Sequence, residues 1–407
     1  MERSFPKAYI TEKGERALRG GHPWVFADEV TSIEGEYING DLIDIRSKKD
    51  RYLGTGFING NSKIRIRLVS RNANDRFDEK FWERRIRYAV DYRMTVMPGE
   101  DFKCCRLIFG EADCFPGLTV DRFNDVLSVQ ILSLGMERLK DIILPATVRY
   151  LRGLGEKISA VYERNDVKLR ELEGMNCCTG FYWKDELSEA DGNTVICENG
   201  IRYHVDYVNG QKTGFFLDQK YNRAAAAKIA KGKRVLDCFT HTGAFALNAV
   251  MGGAAHVTAV DVSNEAIAMA KKNAALNGLS DNMSFVCADV FDLLTEMAVS
   301  GNCNYDYIIL DPPAFTKSRD TVKDAVRGYK EINMKAMKLL PRGGYLATCS
   351  CSHFMTESLF KTMLHNAAAD AGVSLRQIEA RQQSPDHPIL WNVPETEYLK
   401  FFIFQVI

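Results

Sequence analysis

Beyond residue 200 the chain alternates apolar runs with helix-length amphipathic stretches, and the apolar runs lead into aspartates. Val235-Leu236 runs into Asp237, His256 to Val260 into Asp261, and Tyr307 to Leu310 into Asp311; the run Ser284 to Val286 is followed by Asp289. The stretches between predict helices over 244–251, 264–277, 290–298, 323–340 and 357–371, with further strands at 345–348, 374–380 and 398–406. Ser263 is the expected N-cap of the second of these helices and Gly278 its stop. Repeated β-α-β units imply a parallel sheet covered on both faces. Such sheets bind ligands at the carboxyl ends of their strands. One aspartate after a strand is as readily an N-cap or a turn former; four in register point to a site.

The front of the chain has another rhythm. Residues 1–75 hold short period-two runs at 41–45, 52–57 and 63–68 with glycines between them, which predicts a small β-barrel or sheet. Lys63, Arg65 and Arg67 share one strand face there, either a solvated face or one that tracks phosphates. Residues 76–200 read as an α+β domain, with helices at 78–94 and 137–151 and strands at 105–109 and 126–132. The expected divisions are therefore 1–75, 76–200 and 201–407.

Composition narrows the function. The 53 basic and 53 acidic side chains exclude a wholly basic nucleic-acid coat but leave room for a local patch. Eleven cysteines without a C-x-x-C pair argue against a zinc ribbon, and His204, His353 and His387 have no metal-binding spacing. No apolar run is long enough to span a membrane, and the charged start MERSFPKAYITEKGER does not read as a secretory leader. A reducing, cytoplasmic setting with free thiols is expected.

After Asp237, the segment Cys238-Phe239-Thr240-His241-Thr242-Gly243 reads as a tight turn that opens a helix. Its N–H groups suit an anionic ligand group. Asp261, 24 residues further on, is placed to bond a ribose hydroxyl. The turn lacks G-x-G-x-x-G, which disfavours a nicotinamide dinucleotide. Asp311-Pro312-Pro313 is a rigid turn that fixes a carboxylate and carbonyls at the sheet rim, suited to a planar base with amino groups.

Taken in order, these motifs resemble those of class I S-adenosylmethionine methyltransferases. More narrowly, Gly210-Gln-Lys-Thr-Gly-Phe-Phe-Leu-Asp-Gln-Lys-Tyr-Asn-Arg223 resembles the signature of bacterial 5-methylcytosine methyltransferases of large-subunit rRNA. The likeness continues through Thr348-Cys-Ser-Cys-Ser352 and Asp386-His-Pro388. Gly20-Gly-His-Pro-Trp-Val-Phe26 is similar to the start of a PUA domain, and residues 110–122 to the middle domain of that family.

The resemblance implies a multidomain α/β protein. It would have an N-terminal PUA-like RNA-binding β-barrel, a middle α+β domain and a C-terminal Rossmann-like class I methyltransferase domain. It implies S-adenosylmethionine as cofactor and large-subunit rRNA as partner, with no membrane; a homodimer is compatible with it. The reaction implied is methyl transfer to C5 of a cytosine, a poor nucleophile until a thiolate adds to C6.

Cys349 is the expected nucleophile, because Thr348-Cys349-Ser350 matches the nucleophile-bearing motif of related RNA enzymes, and it is expected at the rim just after a strand. Cys351 is the fallback, and Asp311 would hold the N3/N4 edge of the base. Phe216, Gln219, Asn222 and Arg223 would wall and anchor the cofactor, with Asp237, Thr240, Thr242, Gly243, Asp261, Asp289 and Asp311 around it. One departure stands out: many such enzymes carry a second cysteine after Asp-Pro, where this chain has Pro313 and Ala314. That leaves the base for the C5 proton unassigned. Two competitors remain: methylation of another atom such as a guanine nitrogen, which needs no cysteine, and an RNA-binding factor without catalysis.

Overall fold

The computed structural model describes residues 5–407 apart from 302 and 317. Among the described residues the chain forms four sheets and gathers into two compact units. The first holds the chain up to Ile196 together with Val205–Leu217 and Pro385–Thr396; the second holds Cys197–His204, Asp218–Ser384 and Glu397–Ile407.

In the first unit, β1 (Lys7–Ile10), β2 (Trp24–Phe26), β3 (Val30–Glu34), β4 (Leu42–Arg46), β5 (Tyr52–Ile58) and β6 (Ile64–Ser70) form one sheet. Their order is β2-β6-β5-β4-β1-β3. Period-two alternation puts Ile43, Ile45, Ile66 and Leu68 into a core with Ala8, Ile10 and Val25. The helix α1 (Glu12–Arg19) starts at Thr11, whose hydroxyl accepts from Gly14 N.

A second sheet takes β7 (Cys104–Phe109), β8 (Leu118–Phe123), β9 (Val126–Ile131), β10 (Ala160–Asn165) and β11 (Cys178–Lys184), in the order β11-β10-β9-β8-β7. Two long helices, α2 (Glu79–Val96) and α3 (Leu134–Gly153), pack against each other beside it, and α4 (Leu169–Leu172) is a single turn. Gly135 lets α3 approach the first sheet: a Cβ there would lie 2.1 Å from the ring of Phe57 on β5. The hairpin β12 (Asn193–Glu198) and β13 (Ile201–Asp206) lies where the chain passes from one unit to the other.

The second unit opens with α5 (Lys220–Ala227). It continues as β14 (Arg234–Cys238), α6 (Ala244–Met251), β15 (His256–Asp261), α7 (Asn264–Leu276), β16 (Met283–Cys287) and α8 (Val290–Ser300). Then come β17 (Tyr307–Leu310), α9 (Val322–Leu339), β18 (Tyr345–Ser350), α10 (Glu357–Ala371), β19 (Leu375–Arg381) and β20 (Lys400–Val406). The strand order is β16-β15-β14-β17-β18-β20-β19. The sequence order turns back at β14, which lies between β15 and β17, so the end of β14 is the switch point where such folds bind ligands.

Two expectations need correction. The sheet is not wholly parallel: β20 runs antiparallel to both β18 and β19. Parallel neighbours need a crossover, usually helical, and no α-helix lies between β19 and β20. The strand expected at 345–348 also runs on through Ser350, because β20 offers Phe401 and Lys400 as partners to Cys349 and Ser350. Cys349 is therefore inside a central strand and 1% exposed, not on the rim after it.

Candidate active site

All of the chemistry described first lies in the second unit. Asp237 is buried at the end of β14, where its Oδ2 accepts from Thr240 Oγ1 at 2.5 Å and from Ala246 N at 2.9 Å. Its Oδ1 and the hydroxyl of Thr242 are buried without a hydrogen-bond partner among the described residues. Burial pushes the Asp237 carboxyl up to about 7, although the Thr240 hydroxyl pulls the other way. The turn that follows is strained. Phe239 and His241 have φ of 62° and 51°, an uncommon region for side chains of this size. Gly243, at φ 82°, is the residue that can turn there freely; a Cβ would sit 3.0 Å from that of Ala270.

The neighbouring strand ends hold the turn. Asp261 Oδ2 accepts from His241 N at 2.8 Å and its Oδ1 from Ser263 N at 3.0 Å. Asp289 caps α8 through Phe291 N at 2.7 Å. Asp261 and Asp289 thus fill the ordinary structural roles of turn former and N-cap, and their carboxyl oxygens retain acceptor capacity. Together with the orphaned oxygens of Asp237 and Thr242, this lining can accept hydrogen bonds from a ligand rich in N–H and O–H donors.

A second cluster forms where β17 and β18 lie side by side. Cys349 Sγ donates to Asp311 Oδ1 at 2.9 Å and lies 3.3 Å from Leu310 O. Gln219 Nε2 donates to the same Asp311 oxygen at 3.0 Å and reaches Cys349 Sγ at 3.4 Å. Burial raises the Asp311 carboxyl above the usual carboxylate range. Burial, reinforced by Asp311, raises the Cys349 thiol. The resting pair is a thiol hydrogen-bonded to a carboxylate, to which it can pass its proton in one short step. Cys351 is half-buried. Lys400, 2% exposed, donates to Ser352 O at 2.6 Å and Tyr398 O at 2.8 Å, and burial lowers its ammonium to about 8.

Several expected residues take different places. Gln219 joins the thiol rather than standing apart from it, and Asn222 holds its amide in orientation, donating to Gln219 Oε1 at 2.7 Å. Arg223 is gripped by Glu198 at 2.7 and 2.9 Å, a buried ion pair. Phe216 belongs to the first unit, with Lys212 Nζ 4.6 Å above its ring. On β6 and just before it, Lys63 is exposed, Arg65 donates to Asn59 O at 3.2 Å, and Arg67 is held by Glu111 at 3.0 Å and Glu173 at 3.1 Å. Glu198, Lys400 and Glu173 were not singled out in the sequence. Arg223 lies 25 residues from Glu198, Ser352 48 from Lys400 and Arg67 106 from Glu173, so no local pattern marks them.

The fold has known counterparts. The profile of the S-adenosylmethionine-dependent methyltransferase family matches residues 105–405, and that of PUA-like domains matches residues 8–71. Ribosomal RNA large subunit methyltransferase I of Aeromonas hydrophila is 42% identical over 399 residues, covering 98% of each chain. The protein of that name from Klebsiella pneumoniae (strain 342) is 39% identical, covering 99% of each. Among solved structures, a Streptococcus mutans protein assigned as a SAM-dependent methyltransferase shares the fold with a TM-score of 0.81 at 24% identity, covering 98% of this chain and all of its own. A protein assigned as a methyltransferase and crystallised with SAH shares it with a TM-score of 0.82 at 23% identity, with the same coverage. With a PUA-like domain at the front and a class I fold behind it, this chain belongs to the S-adenosylmethionine-dependent methyltransferases, in the family of the ribosomal RNA large subunit methyltransferases I.

Proposed function

We propose that the protein methylates C5 of a cytosine in large-subunit rRNA, with Cys349 as covalent nucleophile. The observation that carries this reading is the contact of 2.9 Å between the buried Cys349 Sγ and Asp311 Oδ1, with Gln219 bridging both. Methylation of a base nitrogen has no use for a thiol so held. The relatives' names supply the RNA class, and the PUA-like front supplies an RNA-binding module.

S-adenosylmethionine, when bound, supplies an electrophilic methyl group. Asp237, Thr240, Thr242 and Gly243 would hold it at the switch point, Asp261 through a ribose hydroxyl, with Asp289 on the next strand end. The orphaned acceptors on Asp237 and Thr242 fit a molecule whose amine and hydroxyls are donors.

The protein's own part is proton and bond traffic at the base. Cys349 passes its proton to Asp311 as Sγ bonds C6 of the cytosine. Asp311, now protonated, donates to N3, so the displaced ring electrons reach C5 and make it nucleophilic. Gln219 keeps sulfur and carboxyl in register during that exchange, and Asn222 keeps Gln219 from rotating. Once C5 carries the methyl group, its proton passes to solvent, the C6–S bond breaks, and N3 returns its proton through Asp311 to the departing Sγ. Such an enzyme would work in the cytoplasm, where ribosomes are made.

Mass spectrometry of digested rRNA from a strain lacking the gene tests this. We expect one 5-methylcytosine to disappear from the large-subunit rRNA and to return with the gene. Unchanged 5-methylcytosine with loss of a methylated guanine would select the competing chemistry.

A further inference from the structure

The chain has four tryptophans. Trp82 is buried and stacked on Phe57, Trp24 lies under the Arg67 guanidinium, and Trp183 lies under that of Arg152. Trp391 is 99% exposed. An indole wholly in water keeps a large apolar face unused, and here the backbone beneath it is well anchored.

Val393 N donates to Leu390 O at 2.9 Å, a turn with Trp391 and Asn392 at its tip. Thr396 ties the turn from below: its Oγ1 accepts from Leu390 N at 2.9 Å and donates to Val393 O at 2.7 Å. Val393 is buried. Upstream, the buried Asp386 accepts from Arg106 N at 2.8 Å through its side chain and from Arg93 at 2.9 Å through its carbonyl. The segment is thus fastened at both ends while its tryptophan points into solvent.

The turn also meets the Gly20–Phe26 motif of the PUA-like domain, within the same unit. The Asn392 carboxamide lies so close to Gly21 that a Cβ there would come within 1.8 Å of it. His22 Nε2 lies 3.3 Å from Glu395 Oε2, and its ring meets Trp24 edge-on at 5.3 Å. Arg71 reaches His22 O at 3.4 Å and Leu18 O at 3.5 Å. Arg71 is exposed and forms no ion pair with a carboxylate among the described residues. Two carboxylates nearby are engaged: Glu395 with His22, and Glu111 with Trp24 and Arg67.

We propose that Trp391 is a stacking platform for an unpaired base of the RNA substrate, with Arg71, which donates to the His22 carbonyl, taking a phosphate. This rests on the rRNA reading above. An exposed aromatic face on a rigid turn beside an unneutralised guanidinium is the pairing that single-stranded RNA uses, one part for the base and one for the backbone. A protein partner would instead call for a wider apolar surround than one indole.

The test uses the full chain with two probes, in-vitro-transcribed large-subunit rRNA and a single-stranded oligoribonucleotide, read by filter binding and by tryptophan emission. RNA is expected to quench the wild-type emission. Trp391→Phe should lose most of that quenching and keep near-wild-type affinity. Trp391→Ala should bind roughly 5- to 100-fold more weakly, with S-adenosylmethionine affinity and melting temperature unchanged. If wild type binds and methylates rRNA and Trp391→Ala binds it equally well, the platform is wrong and the functional reading survives. If wild type neither binds nor methylates rRNA, both fall. If Trp391→Ala leaves RNA affinity intact but dissociates a dimer in sedimentation, the indole faces a second copy and the proposal is overturned.

Discussion

In the first unit Arg106 grips Asp121 at 2.7 and 2.8 Å, Arg93 holds Asp113 at 2.6 Å, and Arg67 spans Glu111 and Glu173. In the second, Asp237 and Lys400 are buried and Asp311 is half-buried, yet none has an ion-pair partner within reach among the described residues. Burial of an ion is costly, and a partner of opposite charge repays much of that cost. Paired buried charges therefore read as architecture. Unpaired ones at the end of a sheet, with carboxyls raised and a lysine lowered, read as chemistry waiting for a ligand or a proton. The second unit also shows that the rule works within one fold: its Arg223–Glu198 pair, well matched, stands with the structural group.

The sharpest way to break this contrast is at the thiol. Cys349→Ala should lower methyl transfer by about a thousand-fold or more and abolish the covalent adduct with 5-azacytosine RNA on denaturing gels. Cys351→Ala should cost under about ten-fold. Retention of the adduct in the first variant, or its loss in the second, would move the nucleophile to Cys351.

The architectural pole is next. Asp121→Ala strands the Arg106 guanidinium and frees the Thr213 hydroxyl that donates to Asp121. We expect a loss of roughly 3–5 kcal/mol in urea unfolding, with kcat of the folded fraction unchanged. A kinetic defect at full stability would erase the distinction between the units.

The smallest expected effect concerns pH. The Asp237 carboxyl is raised to about 7 in the folded chain, against roughly 3.9 when unfolded. The folded state therefore holds the proton more tightly. That stabilisation is complete below the unfolded value and fades as pH climbs through about 7. Relative to Asp237→Asn, which mimics the protonated form, wild type should lose melting temperature between pH 4 and 7 and run parallel above. A constant difference across that range would mean that the carboxyl titrates normally.

Much of the fold was legible in the sequence because its signals are local. The helices at 244–251 and 357–371 appear with the expected ends, and Ser263 caps α7 as its position before an apolar stretch suggests. Asp237, Asp261 and Asp311 stand at strand ends, where the apolar runs stop. Gln219 was legible as a motif residue, but its contact with Cys349, 130 positions away, was not.

By itself, then, the sequence determined the alternation of strand and helix, the turn at 238–243 and which side chains stand as candidate reactive groups. These depend on periodicity and on side-chain chemistry over a few neighbouring residues. Tertiary structure decided the rest: that β20 enters antiparallel and draws Cys349 into a strand, that Glu198 pairs with Arg223, and that residues 385–396 join the first unit. Each of these is a choice of partner between distant segments. Such a choice is made by which surfaces can be buried together and which charges can be matched there, and a linear pattern carries neither.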